Sequence, residues 1–213
     1  MTVALAVGKR FPWKDVIPYI IAQIIGAYIG AAIVYITWWG PWELKDPNRT
    51  NAGIASILYC FAPNPGFFPE FYPKKLIPTS GETMVGQLDK YFPVWYIFLA
   101  EVIMTFFLLL TVVAVTDPDS PMHTGAFAGY LIALYVFIAC MIEAPITMTC
   151  MNPARDWGPR LFAATIGYGP DFTFPGWHAE FPLVYGVAQF IGGILAVLFY
   201  DYTMKPYFKL IKK

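Results

Sequence analysis

The sequence predicts an all-α protein embedded in a lipid bilayer, and three observations carry that prediction. Only 13% of the 213 residues are charged and 58% are apolar, against roughly 25% charged in soluble domains. Four stretches run essentially uncharged for the length of a crossing: residues 16–39, 93–116 (broken only by Glu101), 125–142 and 181–200. A spanning helix needs about 17 to 25 mostly apolar residues, and four in so short a chain leave too little polar surface to face water. Basic residues also bunch outside the spans, with Lys9, Arg10 and Lys14 before the first and Lys205, Lys209, Lys212 and Lys213 after the last.

Positive charge beside a span favours the cytoplasmic side, so both termini are expected inside, which four crossings satisfy. Residues 41–93 then form an outer loop, rich in Pro, Gly and aromatics and expected to hold little regular structure. Trp38, Trp39 and Trp42 close the first span as an interfacial belt. The turn Asp117-Pro118-Asp119-Ser120-Pro121 is the short inner connection between the second and third spans. Glu143 ends the third span, either as a cap or as a charge at a pore rim.

The first and last spans resemble one another. Ala22-Gln23-Ile24-Ile25-Gly26-Ala27 matches Ala188-Gln189-Phe190-Ile191-Gly192-Gly193, each with a buried-type Gln three residues before a Gly. With the first span running outward and the last inward, the repeat is inverted, a plan shared by many transport proteins.

Between the third and last spans lies a stretch, 143–164, of spanning length but too charged to cross; it reads as re-entrant. Asn152-Pro153-Ala154-Arg155 is a strong helix start, because Asn is a preferred N-cap and Pro at the first helical position sacrifices no hydrogen bond. Asp156, in the first turn, complements the positive end of the helix dipole. Irregular backbone at membrane depth is tolerated where it is buried in protein or lines a water-filled path.

The composition excludes other classes. Net charge is zero, so nothing favours nucleic acid. Cys60, Cys140 and Cys150 lack metal-ligand spacing, and an odd count argues against a disulfide framework. His123 and His178 fall in loops without partners, so no metal or other cofactor is expected. No nucleophile or metal cluster converges at one depth, so the chain is not expected to be an enzyme. A proton-coupled transporter would need a membrane-buried carboxylate, and Glu101 is the only one deep within a predicted span.

The stretch Met151-Asn152-Pro153-Ala154-Arg155-Asp156-Trp157-Gly158-Pro159-Arg160 resembles the second signature loop of the major intrinsic proteins, the aquaporin and glycerol-facilitator family. Glu101 is similar to that family's buried span glutamate, Gln23 and Gln189 fall at its matching repeat positions, and residues 1–6 look like the half-helix after its first signature loop. The family has six spans and two such loops, whereas this sequence has four spans and one. The resemblance therefore implies an N-terminally truncated, incomplete inverted-repeat bundle: four spans plus re-entrant half-helices, lacking about 60 residues that correspond to 93–154.

It implies a single channel domain over 1–213, with 1–40 the rest of the first repeat, 41–93 the outer loop and 94–213 the second repeat. It further implies a constriction made by Arg155, Cys140 and Thr149, carbonyls of Thr147, Met148 and Thr149 facing the path, and a structural Glu101 that anchors the loop. Asp156 and Arg160 are similar to residues of glycerol facilitators, while Tyr185-Gly186 departs from their pattern. The expected function is passive passage of glycerol, water or similar small neutral solutes through the cell membrane, by a homotetramer. The alternatives are a non-conducting remnant or, further off, the proton-coupled transporter.

Overall fold

The computed structural model describes residues 1–50, 52–55, 57–60, 93–169, 173–174 and 183–211, and all regular structure among them is helical. The helices are α1 (Thr2–Val7), α2 (Val16–Thr37), α3 (Trp39–Lys45), α4 (Ala52–Ala55), α5 (Val94–Thr116), α6 (Ala128–Thr147), α7 (Pro153–Thr165), α8 (Ala188–Phe199) and α9 (Lys205–Ile211). π-helical turns at Leu183–Val187 and Tyr200–Met204 extend α8 at both ends, so that Leu183–Phe208 is one apolar run. Four helices are long and apolar enough to cross a bilayer: Trp13–Thr37, Val94–Thr116, Gly125–Thr147 and Leu183–Phe208.

Local chemistry sets the helix ends. Pro93 caps α5 in an extended conformation (φ −63°, ψ 148°). Pro118 keeps Asp117 extended (ψ 118°) and so stops α5. Gly125, at φ +55°, supplies the left-handed turn that leads into α6.

The helices pack mainly as α8 on α5, α7 on α2, α6 on α5 and α1 on α8. In a bilayer the lipid is as apolar as the side chains, so close approach through small residues does much of the work. Gly192 provides it between α8 and α5, where a Cβ would lie 2.3 Å from the Val102 carbonyl oxygen. Gly158 does the same between α7 and α2, with 2.7 Å to the carbonyl of Ile24. The main apolar core gathers Ala4, Leu109, Val113, Ala196, Val197 and Tyr200 from α1, α5 and the last span. Ile17, Ile21, Ile25, Ile29 and Ile33, spaced by four, stay exposed on α2, as suits a lipid-facing stripe.

Ion pairs close one end of the bundle. Arg10 holds Asp201 through two bonds of 2.8 and 2.5 Å, and lies 3.6 Å from Asp117. Lys205 Nζ reaches Asp117 at 2.8 Å. Burial pushes the Asp117 carboxyl up, but Lys205 and the Asp119 N–H outweigh it and hold the group below its usual range. At the opposite end Trp42 Nε1 donates to the Tyr168 hydroxyl (3.0 Å), which donates to Asp46 (2.5 Å), while Arg49 pairs with Glu43.

Three expectations need correction. Residues 41–93 open with helix α3, whose first residues precede them, and contain α4; 61–92 lie outside the described residues. Trp42 is 1% exposed and belongs to the core, packed edge-on against Tyr35 with its indole N–H bonded to Tyr168; Trp38 and Trp39 are exposed. The third span does not end at Glu143. It continues to Thr147 because Pro145 sits in the last turn, where its missing N–H removes a single bond. The repeat is unequal in packing: Gly192 is wedged against α5, but a Cβ on Gly26 meets nothing within 4 Å.

Candidate functional site

The site is built on the link from α6 to α7. After Thr147 the chain takes left-handed backbone at Met148 (φ 63°), Thr149 (φ 54°) and Met151 (φ 49°), an unusual run for residues with side chains. Glu101 holds it in place. Its Oε1 accepts the Cys150 N–H at 2.8 Å and its Oε2 the Met151 N–H at 2.9 Å, and the carboxylate is fully buried. Gln189 Nε2 adds a 2.9 Å bond to Oε2 and reaches the Val184 carbonyl at 2.7 Å. Gln23, its counterpart in the repeat, donates instead to Thr2 Oγ1 at 3.0 Å.

The loop carbonyls divide. Thr147 O accepts from the Tyr185 hydroxyl (3.3 Å) and Met148 O from the Cys60 thiol (3.8 Å), so both face protein partners. Thr149 is buried, and its hydroxyl has no partner among the described residues. Asn152 caps α7 in extended backbone, its Oδ1 accepting the Ala154 N–H at 3.1 Å. That leaves its amide N–H groups for the two cavities it lines. One, about 350 Å³, is bordered by α2 residues Gln23, Ala27, Gly30 and Val34, by Ile57 and Leu58, and by Ala154 and Arg155. The other, about 90 Å³, lies where the starts of α1 and α7 meet, between Thr2, Val3, Asn152 and Pro153. Arg155 Nη1 is buried without a partner among the described residues.

Asp156 and Arg160 form a buried ion pair one turn apart, with Nε to Oδ2 at 2.6 Å. Asp156 Oδ1 accepts the Cys60 N–H at 2.8 Å. Arg160 donates to the carbonyls of Thr173 (2.9 Å) and Cys60 (2.5 Å) and stacks on Tyr59 at 4.5 Å. The pair therefore pins two outer segments to α7, and neither residue borders the cavities. Tyr185 and Gly186 serve Trp157, whose indole N–H donates to the Tyr185 carbonyl at 2.9 Å and whose ring leaves 3.2 Å for a Cβ on Gly186. Cys140 lies exposed on α6, outside both cavities.

Some residues were invisible to sequence reasoning. Cys60 sits among aromatics and prolines with no motif around it, yet it meets the loop, α7 and Arg160 at once. Glu143 is 1% exposed and lies beside Glu101 and the Thr147 side chain, so it is neither a cap nor a rim charge; it is a second deep carboxylate. Among the described residues no cluster of His, Cys, Asp or Glu could hold a metal; His178 lies outside them.

A family model described as major intrinsic protein matches residues 1–200. The chain is 30% identical over 203 residues to aquaglyceroporin-2 of Rhizophagus irregularis, covering 94% of this chain and 56% of that protein. It is 29% identical over 205 residues to a propanediol uptake facilitator of Citrobacter freundii, covering 96% and 69%. The chain thus spans little more than half of the first of these relatives. The X-ray structure of the aquaglyceroporin from Plasmodium falciparum superposes with a TM-score of 0.74 at 21% identity, covering 98% of this chain and 72% of that one, a likeness of fold.

Proposed function

The chain belongs to the major intrinsic protein family, and from that premise we propose that it forms a membrane channel for passive movement of small uncharged solutes, glycerol, water or both. The observation that carries this reading is the meeting of Asn152 and Arg155 at the border of one largely apolar cavity of about 350 Å³. Fixed donors and a permanent positive charge suit a passing hydroxyl or water and repel cations. The relatives' names, an aquaglyceroporin and a propanediol uptake facilitator, point the same way. Cys140, Thr149 and Arg155 are proposed as the constriction. The basic ends are assigned to the cytoplasmic side of the cell membrane, with four copies per assembly by family likeness.

The open face of α2 favours a second reading, a chain that does not conduct by itself. Gly30 borders the larger cavity, and a Cβ on it meets nothing within 4 Å. Stopped-flow light scattering on proteoliposomes tests both. Glycerol and water entry above that of empty vesicles, linear in the gradient and indifferent to proton-gradient collapse, is expected. Saturating flux that stops with the proton gradient would overturn the channel, and folded protein that passes neither solute would establish the second reading.

A further inference from the structure

Gly30 lies in the interior of α2, where glycine is disfavoured against alanine. A membrane helix recovers that loss where a missing side chain lets backbones approach. Gly158 and Gly192 are of this kind, since a Cβ on them would lie 2.7 and 2.3 Å from a carbonyl oxygen of the facing helix. Gly30 is not: a Cβ there meets nothing within 4 Å among the described residues. What it borders is the larger cavity, of about 350 Å³, from the face of α2 that also carries Ala27 and Ala31. Gly26 is equally open and borders neither cavity. Leu58 borders the larger cavity from the outer segment and has little freedom to move. It is 6% exposed and packs in one cluster with Ala31, Trp42 and Phe162. Two residues on, Cys60 is fixed at both backbone groups, its N–H on Asp156 and its carbonyl on Arg160. Asn152 and Arg155 supply the polar part of the border.

We propose that Gly30 and Leu58 set the size of solute that the cavity admits, an inference that rests on the channel reading and deepens it. The absent side chain at Gly30 leaves the width that a small polyol such as glycerol needs beside Asn152 and Arg155, and that water does not need. Leu58, held by its cluster and by the bonds of Cys60, takes up the space that a longer polyol such as ribitol would need. Selection by bulk is steep, because one methylene against a fitted apolar wall is worth about 10- to 200-fold in discrimination. Neither residue carries a polar side chain, so the two act through width alone and leave hydrogen bonding to α7.

Entry of water, glycerol and ribitol into proteoliposomes of the full chain, followed by stopped-flow light scattering, tests it. Gly30→Leu is expected to lower glycerol entry about tenfold relative to water entry, and Gly30→Ala to shift the ratio the same way by less. Leu58→Ala is expected to raise ribitol entry about tenfold relative to glycerol entry. Gly26→Leu, equally open but off the cavity, is expected to keep both ratios of the parent. An unchanged glycerol-to-water ratio in Gly30→Leu, whether the two rates hold or fall together, would overturn the proposal, as would the same shift in Gly26→Leu. An unchanged ribitol-to-glycerol ratio in Leu58→Ala would overturn the part assigned to Leu58. A parent that passes water alone would overturn the proposal and leave the channel standing. One that passes no solute and no water would overturn the channel reading, and the proposal with it.

Discussion

Gln189 and Glu101 are bonded side chain to side chain at 2.9 Å across the contact between α8 and α5, and the same carboxylate holds two loop amides. Helix pairing and loop geometry are therefore linked through one group. Each hydrogen bond to a charged acceptor contributes about 1.5–3 kcal/mol.

Glu101→Gln keeps the shape and removes the charge, and an amide oxygen cannot serve all three donors. Stability is expected to fall by about 1.5–3 kcal/mol, with solute flux falling alongside it. Denaturation in detergent and flux in vesicles measure the two. Normal stability with full flux would show that the loop does not depend on this carboxylate.

Glu143→Gln should act in the opposite direction. A buried carboxylate beside a second one, Glu101, is costly, and the amide removes the ionisable group at nearly constant volume. The variant is expected to be at least as stable as the parent, by up to about 2 kcal/mol. A loss of more than about 1 kcal/mol would mean that Glu143 makes a contact in the bilayer that is worth keeping.

Breaking the Asp156–Arg160 pair leaves one buried charge alone. Arg160→Met is expected to cost about 3–5 kcal/mol, and replacing both residues with apolar ones of similar size should recover most of it. The double variant's melting temperature decides, because equal loss in single and double variants would show that the bonds to Cys60 and Thr173 matter more than the pairing.

Gly192→Ala should cost about 1–3 kcal/mol by forcing α8 off α5, whereas Gly26→Ala should change stability by no more than about 0.5 kcal/mol. Equal losses at both positions would show that the α2 face is covered in the membrane.

Asp117 gives the protein an acid limit. Its folded value lies below the unfolded one, so its contribution is complete above the unfolded value of about 3.9 and is lost as pH falls through the folded value. The gap in melting temperature between parent and Asp117→Asn is expected to be open near neutrality and to close below about pH 4. A gap independent of pH would remove the Lys205 and Arg10 pairing as its cause.

The four crossings were legible because charge-free length is a property of the chain alone, and the start of α7 because an Asn–Pro pair acts locally. The anchoring of the loop by Glu101 came only through family resemblance, since nothing in the sequence near Glu101 names Cys150 or Met151 as partners. Asp156 and Arg160 were legible as a marker but not as a clamp, because their partners Cys60 and Thr173 lie in segments without periodicity. Trp42 and Glu143 were misplaced for a shared reason. Each sits just where a span was expected to have ended, but a second helix, α3, carries Trp42 into the core and α6 runs past Glu143 to Thr147.

The left-handed residues Met148, Thr149 and Met151 bear on the order of assembly. Each costs about 1–2 kcal/mol relative to ordinary backbone, so the loop has no reason to take its shape before Glu101 is presented to it. Glu101 is positioned by the meeting of α5 and α8, which makes this stretch the last part of the molecule to settle, after the crossings have inserted and paired. Hydrogen exchange would record that sequence as protection of the Cys150 and Met151 amides lost before or together with the α5–α8 contact; protection that outlasts the contact would mean that the loop folds on its own account.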